Sequence, residues 1–190
     1  MAKRVYFAFH YQDVADFRAN VVRKHNALQG VQAAGYYDAS IWEESRKQGK
    51  LALKRLINRE LEYTSVTVVL IGSYTFQRPW VRYEIIKSLA RGNQLLGIHI
   101  NGITDRYQQT EPLGPNPFEY LGVFRDQGGT KGRPVEWNGA QWSWYSEVEP
   151  WELANPPAIA AGAVHRLSKG VSVYDWIAHN GYENFGKWVA

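Results

Sequence analysis

Apolar runs alternate with amphipathic stretches over the first hundred positions. Val5–His10 is a short β-branched and aromatic run that reads as a buried strand. Asp13 or Asp16 then opens a helical pattern in which Phe17, Val21, His25 and Leu28 recur on one face, ended by Gly30. Val31–Tyr37 reads as a strand or an ordered loop, and Asp38–Gln48 as a loop. Past Gly49, Leu53, Leu56, Ile57 and Leu61 make the apolar stripe of a second helix. Val66–Ile71 is almost wholly apolar, which fits a central parallel strand covered on both faces. Pro79 suits the first turn of a third helix, Trp80–Arg91, with Val81, Ile85 and Leu89 inward and Gly92 closing it. Leu95–Ile100 is the next strand.

This alternation predicts an α/β fold, built from right-handed βαβ units with helices on both faces of a parallel sheet. Ligands of such sheets bind beyond the carboxyl ends of the strands. Here that edge comprises residues 10–13, 38–42, 72–80 and 101–107. The second half is different. Residues 102–136 are rich in Gly, Pro and polar side chains. Trp142–Tyr145 reads as a further strand, 146–170 as loop, and Val173–His179 as a short helix carrying Trp176. With 190 residues against roughly 150 per domain, the pattern fits one domain over 1–190. Its core covers about 3–120, with an irregular C-terminal extension, 121–190, packed onto it.

Composition narrows the function. A hydrophobic fraction of 45% and a charged fraction of 21% exclude disorder throughout. The net charge of +4 is scattered rather than gathered in a stripe, so no nucleic-acid partner is expected. Without cysteine, a disulfide framework, a Cys-ligated zinc and a thiol nucleophile are excluded. The histidines show no ligand spacing, and no metal is expected. No apolar run approaches the roughly 20 residues of a membrane span, and the segment after Lys3-Arg4 is too short for a signal core. A cytoplasmic protein without a membrane partner is expected. Aromatics make up 14% of the chain, enough to supply stacking surfaces for a planar ligand besides a core.

Common nucleotide and hydrolase signatures are missing. No strand leads into G-x-G-x-x-G, and Gly128–Gly132 lacks the Walker spacing. Ser73 is followed two residues on by Thr75, where a nucleophile elbow needs glycine. The informative segment is Ser73–Ile85, delivered to the ligand edge by the most buried strand. Trp80 and Glu84 stand one helical turn apart and share a face, offset from the Val81/Ile85/Leu89 stripe. That places an indole and a carboxylate side by side at the rim of a cleft. The indole can wall a pocket; the carboxylate can bind a sugar diol or stabilise positive charge. The pattern equally accommodates an exposed Glu84 paired with Arg82 or Lys87, and Trp80 as a core plug.

The segment Arg78-Pro79-Trp80-Val81-Arg82-Tyr83-Glu84-Ile85 resembles the TIR motif Ser/Arg-x-Trp-Cys-x-x-Glu-Leu. Lys3–Tyr11 resembles the first TIR strand and its polar exit. More closely, the chain is similar to the bacterial TIR-like family marked by Val-Phe-x-Ser-Phe-His-Tyr, Val-Leu-Ile-Gly and Trp-Val-x-x-Glu-Ile, known from the sensor subunits of the Thoeris anti-phage system. The match covers about residues 3–120, and the tail more loosely. Val81 in place of Cys, and His10-Tyr11 after the first strand, point to the TIR-like branch and away from receptor-adaptor roles.

The resemblance implies a flavodoxin-like TIR fold and cleavage of NAD, as substrate rather than cofactor, at the nicotinamide–ribose bond. It implies Glu84 as catalytic residue and Phe9, His10, Tyr11, Asp38, Tyr74 and Trp80 around the substrate. The product expected is a cyclic ADP-ribose isomer that activates a separate NAD-depleting effector, with self-association of the chain completing the site. A plain NAD glycohydrolase giving ADP-ribose, or a non-catalytic interaction module, would share the motif. A response regulator would need an Asp at the end of the middle strand, and residues 66–72 contain none.

Overall fold

A computed structural model describes residues 4–28, 32–34, 44, 45, 47–153 and 160–190. Among the described residues, the first hundred positions supply the strands β1 (Arg4–Ala8), β2 (Gln32–Ala34), β3 (Val66–Ile71) and β4 (Gln94–His99). The helices between them are α1 (Tyr11–Ala15), α2 (Arg18–Leu28), α3 (Lys50–Leu61) and α4 (Pro79–Ala90). Every residue of β3 is buried, and β3 pairs in parallel with β1 on one side and β4 on the other. A strand in that position has no solvent face, which is why its sequence does not alternate.

The sheet separates two apolar layers. Tyr6, Ala8, Val69 and Ile71 point to the side covered by α3 and α4, where Leu53, Leu56, Ile57, Leu61, Val81 and Ile85 meet them. Val5, Phe7, Val68 and Leu70 point to the other side and pack with Ala19 and Val22 of α2. The α3 stripe is the expected one. That of α2 is not: Phe17 is exposed, with φ 66, between α1 and α2, and the buried face begins with Arg18, Ala19 and Val22. The chain breaks direction at Phe17, so the regular count from that residue is out of phase. Pro79 opens α4, and Gly92, at φ 82, follows its end.

The second half departs further from expectation. Residues 121–166, read largely as loop, contain β5 (Leu121–Arg125), β6 (Lys131–Trp137), β7 (Trp142–Trp144), β8 (Trp151–Glu152) and β9 (Val164–Arg166). These form a second, antiparallel sheet in the order β7-β6-β5-β9, with β8 also on β6. Leu121, Val123 and Tyr145 pack into the α3/α4 layer, so this sheet lies over those helices. Among the described residues, the extension is therefore built of paired strands and a helix rather than irregular. Nor is Val173–His179 a helix. Ser172–Asp175 is β10, paired in parallel with β4 as the outer strand of the main sheet, whose order is β10-β4-β3-β1-β2. Trp176 follows β10, fully buried, and donates its backbone N–H to His99 O at 2.9 Å. The last helix is α5 (Gly181–Trp188), whose Phe185 joins Trp176 on the α2 side of the sheet.

A loop seals the end of β3. The Ser73 backbone N–H donates to Glu111 Oε1 at 3.1 Å, and Asn101 Nδ2 donates to Glu111 Oε1 at 3.0 Å and Pro112 O at 2.9 Å. Gly114 lies so close that a Cβ there would fall 2.1 Å from Gly72 O. Backbone cannot yield as a side-chain tip does. Gly114→Ala should destabilise the fold by about 1–3 kcal/mol, read by urea and thermal unfolding. An unchanged midpoint would show that the loop is free to lift.

Candidate functional site

The N-terminal turns of α3 and α4 border a groove of about 280 Å³. Trp80, Tyr83 and Pro79 come from α4, and Lys50 from α3. The antiparallel sheet and the turn after β7 supply Glu136, Trp144, Tyr145 and Glu147. The indole of Trp80 stands edge-on to the Tyr83 ring, with centroids 6.0 Å apart. The Tyr83 hydroxyl donates to Asn58 Oδ1 on α3 at 3.0 Å. Two ionic clamps tie the walls together. Arg82 Nη1 meets Glu136 Oε2 at 2.8 Å. Lys50 and Lys54 meet the Glu147 carboxyl at 2.5 and 2.9 Å, and their hydrogen bonds hold that carboxyl below the usual range. The groove thus has flat aromatic walls and a rim of balanced charge.

Glu84 is not on that rim. It is 4% exposed, buried on α4 beside Val81 and Ile85, one turn from Trp80 and behind the groove's lining. Both expected placements, at the cleft edge or exposed beside Arg82 or Lys87, are corrected by this burial. Tyr6 OH donates to Glu84 Oε1 at 2.5 Å. Burial pushes the Glu84 carboxyl up to about 8, against the opposing pull of the Tyr6 hydrogen bond. In this state Glu84 is mostly protonated at neutral pH.

The other expected site residues divide between regions. Trp80 lines the groove, and it packs partly into the core as well. Phe9 packs against the α2-side layer, with the Arg23 guanidinium 5.6 Å from its ring centre, so the sheet stands between it and Glu84. His10 is half-buried at the exit of β1; burial, and then the Arg78 charge, lower it to about 4, so it is neutral near pH 7. Tyr11 opens α1 and Tyr74 follows β3, 46% and 59% exposed. Asp38 lies outside the described residues. One continuous rim of Phe9, His10, Tyr11, Tyr74, Trp80 and Glu84 is therefore not what the chain forms.

Sequence reasoning passed over the polar centre at the strand ends. Asp13 of α1 is buried against Gly72, where a Cβ would fall 2.3 Å from Asp13 Oδ1. Its Oδ2 lies 3.4 Å from Thr75 Oγ1, which accepts from the Gly72 N–H at 2.9 Å. Burial, and then the Glu111 charge, push the Asp13 carboxyl up to about 7. Arg18, also buried, donates from Nε to Ile103 O and from Nη2 to Gln109 O, and lies 3.4, 3.7 and 3.8 Å from Asp16, Asp105 and Glu111. An acidic residue just after a strand, facing a glycine at the end of its neighbour, was the available signal. No group of three or more His, Asp or Glu side chains is placed to hold a metal ion among the described residues. Nor is any helix there long and apolar enough to cross a membrane.

Asp13 and Glu84 keep their protons in the folded chain at pH values where the unfolded chain has lost them. Their contribution to stability is complete below the unfolded carboxyl values, near 4, and is lost as pH rises through the folded values near 7 and 8. Stability should therefore fall from about pH 5 to about pH 8, and Glu84→Gln should remove roughly 2–4 kcal/mol of that fall. Denaturant titrations at several pH values measure it. Parallel pH curves for the two proteins would rule out the protonated, buried Glu84.

Comparison with known proteins places these features in a family. The model of the family described as "Thoeris protein ThsB, TIR-like domain" matches residues 6–105. A protein of Bacillus cereus (strain MSX-D12), named as a candidate cyclic ADP-D-ribose synthase, ThsB1, is 50% identical over 191 residues, and the alignment covers the whole of both chains.

Proposed function

Because the chain belongs to the Thoeris ThsB TIR-like family, we propose that it cleaves NAD at the nicotinamide–ribose bond and joins the ADP-ribose to itself as a cyclic signal. The observation that carries this reading is the Trp80-walled groove with the Glu84 carboxyl one helical turn behind it, in a chain half identical to a protein named as a candidate cyclic ADP-D-ribose synthase. NAD is the substrate, and a separate NAD-depleting effector receives the product. The site residues proposed are Glu84 as the catalytic carboxyl, Trp80 and Tyr83 as ring-stacking walls, and Lys50 and Arg82 at the groove rim.

The chemistry suits these groups. The C–N bond between ribose C1′ and nicotinamide breaks, and its electron pair leaves with neutral nicotinamide, so no strong general acid is needed. C1′ passes through an oxocarbenium-like state, as in glycoside cleavage. A carboxylate nearby stabilises that charge. Glu84 is protonated at rest, but the cationic nicotinamide ring of NAD favours its charged form, so substrate arrival ionises it. A hydroxyl oxygen or a base ring nitrogen of the same ADP-ribose then bonds to C1′, and one proton, from that hydroxyl or from the exocyclic amine of the base, leaves to solvent. A site closed to bulk water favours this course over hydrolysis. Plain hydrolysis to ADP-ribose differs only in the attacking group.

A second reading has an observation of its own. Glu84 does not line the groove, which favours a non-catalytic module in which the carboxyl is a structural group. Glu84→Gln separates the two. In the catalytic reading it lowers product formation at least about a hundredfold while the chain stays folded, as expected for an electrostatic contribution of about 2.7–4 kcal/mol. Product is measured by mass spectrometry of purified protein with NAD, and of phage-infected cells expressing each form. Near-normal turnover in the folded variant would leave Glu84 a structural residue.

A further inference from the structure

Tyr6 and Glu84 are both removed from solvent, on facing elements 78 positions apart in the chain. Tyr6 leaves β1 toward α4, and its hydroxyl reaches Glu84 Oε1 at 2.5 Å. Of the other side chains that β1, β3 and α3 bring to this layer, Ala8, Val69, Ile71, Leu53, Leu56 and Ile57 are apolar, and Thr67, opposite Tyr6 on β3, donates to Ser88 Oγ at 2.8 Å. The neighbouring cations are engaged elsewhere, Lys54 of α3 with Glu147 and Arg82 of α4 with Glu136. Among the described residues, the Tyr6 hydroxyl alone offsets burial in the titration of this carboxyl.

We propose that Tyr6 is the positioning residue of Glu84, its hydroxyl holding one carboxyl oxygen in place and favouring the ionised form. The functional half of this proposal rests on the NAD-cleaving reading; the structural half rests on the Tyr6–Glu84 geometry. A phenol that donates to a carboxylate stabilises the charged state, because the neutral acid is the poorer acceptor. The ring of Tyr6 belongs to the core, but its oxygen has no packing duty there. A purely structural residue would need only the ring.

Tyr6→Phe keeps the ring and removes the donor. Infrared difference spectra against Glu84→Gln, taken in each background across pH, isolate the Glu84 carboxyl band and give its titration midpoint. The midpoint should rise by about one to two pH units in Tyr6→Phe. The kcat/KM profile, which reports groups of the free enzyme, should move to higher pH by the same amount. Should Tyr6→Phe not fold, 3,5-difluorotyrosine introduced at position 6 tests the same bond in the opposite sense: a more acidic donor should lower the midpoint. A midpoint that stays put, or moves against these directions, overturns the proposal. If the midpoint moves as expected but neither protein consumes NAD, the Tyr6 assignment stands and the NAD-cleaving reading fails. If NAD is consumed and the midpoint does not move, Tyr6 alone is misassigned.

Discussion

A carboxyl group kept out of water between β1 and α4 governs the rest of the site. An isolated carboxylate in an apolar layer costs several kcal/mol, so the group either binds a proton or finds a partner. Glu84 does both: its affinity for the proton is raised, and Tyr6 donates to one oxygen. This arrangement also constrains the fold. It fixes the rotation of α4 about its axis, because Glu84 must meet Tyr6 while Val81 and Ile85 fill the layer beside it. With that rotation set, Trp80 and Tyr83 fall on the groove side of the same helix.

The groove itself depends on both sheets. The parallel sheet and its helices provide Trp80, Tyr83, Arg82 and Lys50, which alone would form an open shelf. The antiparallel sheet adds Glu136, Trp144, Tyr145 and Glu147 as the opposing wall. The clamps between them, Arg82 to Glu136 and Lys50 and Lys54 to Glu147, are partly exposed, so each adds modest stability. Their larger contribution is register: they set the width between two walls that share no backbone hydrogen-bond ladder.

Much of the first hundred residues was legible, because their signals are local. The wholly apolar Val66–Ile71, the Leu53/Leu56/Ile57/Leu61 stripe and Pro79 each state their own structure within one element. The second half was not, because its strands are specified by pairing. Leu121–Arg125 and Lys131–Trp137 include Gly122, Gly132 and Pro134, residues that weaken a strand signal and are tolerated where neighbouring strands complete the ladder. Val173–His179 reads as a short helix, and its first residues instead belong to the strand Ser172–Asp175, formed through pairing with β4. At the site, periodicity correctly put Trp80 and Glu84 one turn apart on α4. It did not show that the Glu84 side would be roofed by Tyr6, since that contact spans 78 positions. Phe9 shows the reverse case: the two-residue period of a strand carries Phe7 and Phe9 to the face opposite Tyr6 and Ala8, and the core follows that division.

Burial of the acid changes how activation and binding relate. A carboxylate already ionised in an open cleft would attract any cation, including ones that carry no scissile bond. A protonated carboxyl behind a nearly neutral groove offers little long-range attraction. In the NAD-cleaving reading proposed above, it would become negative only when a positive ring arrived close enough to favour the charged form, with water displaced by that ring. In that reading the interaction would be strongest where charge on the substrate passes from the nicotinamide nitrogen to C1′, because the surrounding layer screens it least. On the proposal for Tyr6, its hydroxyl would set the threshold for that change. Without its donated hydrogen bond the acid would hold its proton more firmly, and an arriving cation would have to supply all of the ionising work; with it, the two forms of Glu84 lie closer in free energy, as the proposed reaction requires.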